Sequence, residues 1–204
     1  MCDGHGSSGE VYSSQMSRGS VLIGRTDVIS CGGTKVSASW RNVCVRQIHG
    51  GSASVMVWGG ISENSRTPLV ILDGHITARR YTDEVLRPIV QPFMSSHSDV
   101  TVFQQDNARP HAARFTQEFL CQNGLHVMQW TPYSPDLSPI EHLWDILKKA
   151  VAKRQPQPRS RSQLAGIVKE EWNRIPQATI SNLIQSMRRR CVACISAKGG
   201  HTRY

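Results

Sequence analysis

Two acidic residues, Asp106 and Glu141, stand where carboxylates could hold a metal ion. Asp106 follows a predicted apolar strand at residues 100–103, and Glu141 falls in the first turn of a predicted helix. The 34 residues between them leave room for a helix, a further strand and a loop. Reactive groups of α/β proteins collect beyond the carboxyl ends of the strands. We therefore expect the two carboxylates to converge there.

The chemistry that suits such a pair is metal-assisted phosphoryl transfer. Mg²⁺ prefers oxygen ligands and is usually held by one or two carboxylates together with substrate phosphates. Two ions about 4 Å apart can activate a nucleophile and stabilise the leaving oxygen. A third acidic residue on a central strand is commonly needed to bridge them. Each residue also has a simpler explanation: Asp106 can start a turn with Asn107, and Glu141 forms a capping-box pattern with Ser138.

The elements that would position these residues alternate between strands and helices. Strands are predicted at residues 54–58, 68–72, 100–103 and 125–130, and short strands are indicated at 21–23 and 43–45. The strand at 54–58 is expected to stop at Gly59-Gly60. Helices are predicted at residues 77–94 with a break at Pro88, at 111–122, from Ser138-Pro139 onward, at 161–174 and at 177–196. This order predicts an α/β fold with a mixed sheet flanked by helices and a helical C-terminal extension.

The charge of the chain is concentrated at its C-terminal end. The 204 residues carry 24 Lys and Arg against 15 Asp and Glu, a net charge of +9. Residues 148–204 alone carry a net +11, which leaves −2 for the rest. A basic tail indicates a polyanion partner, most often nucleic acid, although a solvated charged face is the alternative. No apolar run approaches the roughly 18 residues of a membrane span.

Three ordered motifs resemble the mariner superfamily of transposases. They are Ser54-Val-Met-Val-Trp-Gly-Gly60, Phe103-Gln-Gln-Asp-Asn-Ala-Arg-Pro-His111 and Ser134-Pro-Asp-Leu-Ser-Pro-Ile-Glu-His-Leu-Trp144, and the resemblance covers about residues 51–204. It implies a ribonuclease-H-like fold, an Asp-Asp-Glu triad, and cutting and joining of DNA strands with two Mg²⁺ or Mn²⁺ ions. Matched by motif, Asp106 takes the second place of the triad and Glu141 the third, as catalytic residues and metal ligands.

Residues 1–50 depart from this resemblance. The first triad aspartate is expected near residues 13–16, which read Ser13-Ser-Gln-Met16 and contain no acid. Asp3 lies too early and Asp27 too late, and neither is placed in a predicted apolar strand. The helix-turn-helix pair of the family is also not recognisable there. We therefore expect impaired cleavage and DNA binding with little sequence preference.

Nine side chains are predicted to contact DNA. Phosphate contacts of this kind position a protein on DNA without reading its sequence. The nine are Arg109, His111, Lys148, Lys149, Lys153, Arg154, Arg188, Arg189 and Arg190. His111 could instead orient a ligand or cap a helix, and cations are favourable near helix C-termini in any case. Trp58, Trp130 and Trp144 are predicted to lie in the core rather than to stack on bases.

These patterns divide the chain into three segments: an atypical N-terminal segment at 1–50, a DDE-type ribonuclease-H-like core at 51–155, and a basic helical extension at 156–204. The leading prediction is the catalytic domain of a DNA transposase, impaired by the missing aspartate. We expect it to act on nuclear DNA, without a membrane partner, and a homodimer is left open. One alternative is a non-catalytic DNA-binding remnant of a transposable element. The other is a ribonuclease of the same fold, which the motifs disfavour.

Overall fold

Four strands form a single mixed sheet in the computed structural model, which describes residues 20–30, 54–128 and 137–197. The strand order is β3-β2-β1-β4, and β1 runs antiparallel to β2 and parallel to β4. The strands are β1 (Ser20–Ser30), β2 (Ser54–Ile61), β3 (Val70–Leu72) and β4 (Val100–Gln104). Together with helices on both faces, this sheet confirms the predicted α/β class.

Helices cover both faces of the sheet. In chain order they are α1 (Ala78–Tyr81), a π-helical segment (Thr82–Val90), α2 (Gln91–Ser96), α3 (Arg109–Ala112), α4 (Arg114–Gln122), α5 (Pro139–Ala152), α6 (Arg161–Arg174), α7 (Gln177–Gln185) and α8 (Met187–Ser196). The predicted start of α5 and both ends of α6 are confirmed. The helix that Pro88 was predicted to kink or divide runs as α1, the π-helical segment that contains Pro88, and α2, and the predicted last helix divides at Ser186. None of the described helices has the length and apolar character to cross a membrane.

Strand β1 is the largest departure from the sequence prediction. It has eleven residues, whereas the sequence indicated a short strand at residues 21–23 only. The expectation that Asp27 lies outside an apolar strand is therefore wrong, because Asp27 is part of β1. The strand occupies the interior of the sheet, between β2 and β4, so its side chains contact helices on both faces.

Each face of the sheet has its own apolar core. One core joins β1 and β2 to α5, α6 and α7, and the other joins Leu22 and Trp58 to the π-helical segment and α4. Trp58 and Trp144 are fully buried, which confirms their predicted core role, whereas Trp130 lies outside the described residues. Because α6 and α7 share a core with α5, the basic extension packs directly on the sheet.

Gly59 continues β2 instead of ending it, contrary to the sequence prediction. A β-carbon at this position would lie 3.0 Å from the rings of both Trp144 and Trp172. These two indoles stack with their centroids 5.3 Å apart. The missing side chain thus allows α5 and α6 to pack closely on the sheet, and α5 carries Glu141.

Candidate active site

Arg25 and Asp27 face α5 because successive side chains of a strand alternate between its two faces. Their neighbours at the same spacing, Ile23 and Ile29, are buried in the core that α5 covers. Asp27 is 5% exposed, and its Oδ1 accepts a hydrogen bond of 2.7 Å from the Val28 amide. The sheet therefore directs one cation and one carboxylate toward the helix that bears Glu141.

Two ion pairs join β1 to α5. Arg25 Nε lies 2.6 Å from Glu141 Oε1, and Lys148 Nζ lies 2.6 Å from Asp27 Oδ2. Glu141 and Lys148 are seven residues, about two turns, apart and so lie on one side of the helix. Each element thus contributes one cation and one carboxylate. Glu141 is held by the strand and not by its own helix terminus.

The capping-box explanation of Glu141 is not supported. Ser138 occupies the N-cap position of α5, but its side chain makes no capping hydrogen bond. Its hydroxyl is buried and has no hydrogen-bond partner among the described residues. The carboxylate of Glu141 is paired with Arg25 instead.

Asp106 is fixed at the end of β4 by its own segment of chain. Its Oδ1 accepts hydrogen bonds from the Ala108 amide at 3.1 Å and from His111 Nδ1 at 2.6 Å. The first of these is the turn-forming bond considered from the sequence, so Asp106 does form a local turn. The His111 ring is buried against Tyr81, with centroids 4.2 Å apart, and the Tyr81 hydroxyl donates to Gln105 Oε1 at 2.9 Å.

The two carboxylates have opposite electrostatic environments. Burial raises the pKa of Asp106, but the hydrogen bond from His111, the charge of Arg25 and the Ala108 amide outweigh it and lower this pKa to about 2. Burial raises the pKa of Glu141, and the favourable charge of Arg25 does not fully offset it. Asp106 is therefore the more strongly stabilised anion of the two.

Arg25 is the functional residue that the sequence reasoning missed. The β1–β4 ladder ends at the pair Ile23–Gln104, so Arg25 and Asp106 each lie two residues beyond it. Arg25 contacts Glu141 directly, and its charge also lowers the pKa of Asp106. The available signal was its place just after the apolar run at residues 21–23.

This set of residues does not fit the two-ion centre that the resemblance implies for an intact relative. Within the described ranges, no group of three or more His, Cys, Asp or Glu side chains is close enough to hold a metal ion. Asp106 and Glu141 are brought to the same part of the fold, but Arg25 interacts with both. The remaining acid on β1, Asp27, is paired with Lys148.

The carboxylate of Asp106 also borders an open, polar pocket of about 310 Å³. Its walls include Asn107, His111 and Gln117. Gln117 Nε2 donates a hydrogen bond of 2.6 Å to the His111 carbonyl oxygen, so α4 steadies this side of the pocket. Solvent or a polar group can thus reach Asp106 from the side of β4.

The nine predicted DNA contacts fall into different environments. The exposed ones are Arg109, Lys149, Lys153, Arg188 and Arg189. None of these five pairs with an acidic side chain in the part of the chain that the structure describes. Lys148 is paired with Asp27, and Arg154 with Glu170 and Glu171. The five exposed cations are the ones available to a phosphate backbone.

Two of the nine predictions need correction, because His111 and Arg190 are buried. His111 is 1% exposed and is hydrogen-bonded to Asp106, so it positions that carboxylate and does not reach a phosphate. Arg190 is 2% exposed, and its Nε donates to Ser186 Oγ at 2.8 Å. Its Nη1 lies 3.3 Å from His142 Nδ1, so the guanidinium connects α8 with α5 within the protein.

Sequence comparisons place the chain beside known transposases. Residues 41–165 match the family described as DDE superfamily endonuclease. The chain is 36% identical over 157 residues to the transposable element Tcb2 transposase of Caenorhabditis briggsae, covering 76% of this chain and 56% of that one. It is 32% identical over 162 residues to the Tc1 transposase of Caenorhabditis elegans, covering 79% and 58%. The chain thus spans somewhat more than half the length of these relatives.

Structural comparison gives the fold. The catalytic domain of Mos1 mariner transposase matches with a TM-score of 0.74 at 19% identity, over 96% of this chain and 92% of that one. A Mos1 paired end complex with Mg matches with a TM-score of 0.76 at 19% identity, over 96% and 61%. These matches confirm the predicted ribonuclease-H-like fold.

Proposed function

Because the chain belongs to the DDE superfamily of endonucleases, as a transposase domain of the Tc1/mariner type, we propose that it binds DNA and is impaired in metal-dependent strand cleavage and transfer. The DNA-binding part of the proposal rests on the exposed cations. The impairment rests on the ion pair between Arg25 and Glu141.

The exposed lysines of α5 support DNA binding. Lys149 and Lys153 lie four residues apart and so share one side of the helix. Neither pairs with an acid among the described residues, in contrast to Lys148 on the same helix. Lysines of this kind bind the phosphate backbone and release counterions, without reading bases. The solved Mos1 relatives include a paired-end complex with a transposon end.

The Arg25–Glu141 contact is the observation that carries the impairment. Two-ion phosphoryl transfer requires carboxylate oxygens that are free to bind the ions. Glu141 Oε1 lies 2.6 Å from a guanidinium nitrogen, and Asp27 is similarly engaged by Lys148. Mos1 has been solved with Mg and with Mn. In this chain, the partners of these two carboxylates are the cations Arg25 and Lys148.

The test is a binding and cleavage assay on the purified chain with labelled duplex DNA. We expect binding with little sequence preference and an affinity that falls with salt. Lys149→Ala with Lys153→Ala should reduce the slope of log affinity against log salt by about 2. The matched control is Ser162→Ala with Asn182→Ala, which changes two exposed neutral side chains of α6 and α7. Absence of DNA binding would refute the first part of the proposal.

Cleavage is measured in the same assay with Mg²⁺ or Mn²⁺. We expect no nicking or strand transfer above the level of Glu141→Gln. Robust cleavage that disappears in Glu141→Gln would contradict the impairment. Weak cleavage that this variant abolishes identifies an impaired enzyme, whereas none at all identifies the alternative, a non-catalytic DNA-binding remnant. A nuclear location and a homodimer stay predictions.

A further inference from the structure

We infer that Arg25 takes the place of a divalent metal ion beside Asp106 and Glu141, the two acids called the carboxylate cluster below, and that an aspartate at this position would turn the cluster into a metal site. The inference rests on the proposed impairment and gives it a single cause. It concerns metal binding by the free protein, which can be measured without DNA.

The acids around Arg25 already have counter-charges. Carboxylates in a partly buried site require them, because an unpaired buried charge is strongly unfavourable. Here Arg25 and Lys148 supply two positive charges from β1 and α5. A site whose acids have their own cations gains little from a metal ion. Such an ion would also be repelled by the guanidinium.

The position of Arg25 also suits a metal ion. Arg25 and Asp106 each lie two residues beyond the last pair of the β1–β4 ladder, and Arg25 contacts Glu141. Mg²⁺ binds carboxylate oxygens at about 2.0–2.1 Å and needs near-octahedral space around it. The Arg25 Nε atom, 2.6 Å from Glu141 Oε1, fills that space. The guanidinium and a metal ion therefore compete for the same oxygen.

The backbone at position 25 is set independently of the side-chain charge. Ile23 and Ile29, on the same face of β1, are 1% and 0% exposed in the core. Pairing with β2 continues through Arg25 and Asp27 opposite Gly59 and Val57. A shorter acidic side chain at position 25 would thus still face α5. It would add a carboxylate to the cluster and remove the competing cation.

The experiment measures binding of Mn²⁺ and Mg²⁺ alone to the full chain, by calorimetry and by thermal unfolding. The variants are Arg25→Asp, Arg25→Met and the control Arg114→Asp, which makes the same charge change at a side chain that is 91% exposed. We expect Mn²⁺ to raise the Tm of Arg25→Asp and to bind it at least about tenfold more tightly than the unmodified chain. Arg114→Asp should behave like the unmodified chain. Adding Glu141→Gln to Arg25→Asp should abolish the gain.

The outcomes separate the two proposals. Equal Mn²⁺ affinity for the unmodified chain and Arg25→Asp would overturn the inference, as would folded Arg25→Asp that binds no metal. If Arg25→Asp does not fold even with Mn²⁺, the result for Arg25→Met decides. Loss of the cation alone should allow Mn²⁺ to raise the Tm of this variant measurably. A Tm that Mn²⁺ leaves unchanged refutes the inference. Failure of the unmodified chain to bind DNA refutes the proposed function and leaves the metal result standing.

Discussion

The two halves of the candidate site are built in different ways. The β4 side, consisting of Tyr81, Gln105, Asp106 and His111, is held by buried hydrogen bonds and a ring contact. The α5 side, consisting of Arg25, Asp27, Glu141 and Lys148, is held by ion pairs between a strand and a helix. The first depends mainly on one continuous motif, and the second on residues far apart in sequence. The environment of Asp106 is therefore mostly local, whereas that of Glu141 depends on which residue β1 places opposite it.

The stability lost on substitution should follow this division. Buried hydrogen bonds to a charged group stabilise proteins by about 1.5–3 kcal/mol. Partly exposed ion pairs contribute about 0–1 kcal/mol. Arg25 and Glu141 are 25% and 30% exposed, whereas His111 is 1% exposed. Substitutions on the β4 side are thus expected to cost more stability than those on the α5 side.

His111→Ala should have the largest effect, lowering the free energy of unfolding by about 3 kcal/mol. It removes a buried ring that contacts Tyr81 and the donor that holds Asp106. Urea unfolding measures the change. The control is His126→Ala, an exposed histidine for which we expect less than about 0.5 kcal/mol. A similar, small loss in both variants would remove the distinction between the two halves.

The pH dependence of stability tests Asp106 next. Its folded pKa of about 2 lies below the ordinary value of 3.8, so the ionised carboxylate favours the folded state. This contribution is present above the ordinary pKa and is lost as pH falls from about 4 toward 2. The shift corresponds to about 2 kcal/mol. Asp106→Asn should flatten the acid limb of a stability–pH curve by that amount, and an unchanged limb would contradict the role of His111 and Arg25.

A smaller effect is expected from the ion pair of the α5 side. In a double-mutant cycle of Arg25→Met and Glu141→Gln, the coupling energy should not exceed about 1 kcal/mol at neutral pH. Solvent screens this partly exposed pair, and burial already disfavours the charge of Glu141 by raising its pKa. Thermal or urea unfolding of the four proteins gives the value. Coupling of 3 kcal/mol or more would show that the α5 side is held as firmly as the β4 side.

Ser138→Ala should have the smallest effect, within about 0.5 kcal/mol. Its side chain makes no capping bond, and the hydroxyl is buried without a partner in the described part of the chain. The matched control is Ser160→Ala at the start of α6, where the hydroxyl accepts a hydrogen bond of 3.2 Å from the backbone N–H of Gln163. That variant should lose about 1 kcal/mol. Equal losses in urea unfolding would restore the capping explanation of Glu141.

Elements with strong local signals were predictable from the sequence. Proline at the first position and a clear apolar period marked the start of α5, and α6 was predicted at both ends. β1 was predicted too short, because Arg25 and Asp27 interrupt its apolar pattern although they point toward α5. Gly59 was interpreted as a strand stop, since its packing against two tryptophans comes from distant helices.

The sequence by itself determined the α/β class, the family resemblance and the place of Asp106 at the end of a strand, because these depend on residues close together in the chain. Only the tertiary structure decided the counter-ions of the carboxylates. The pairing of β1 with β4 carries Arg25 and Asp106 out of the ladder at the same end, and packing of α5 brings Arg25 to Glu141. Neither arrangement leaves a periodic or motif-like trace in the sequence. The sequence showed that an acid was missing from the expected place, and the fold showed that a cation stands beside the remaining two.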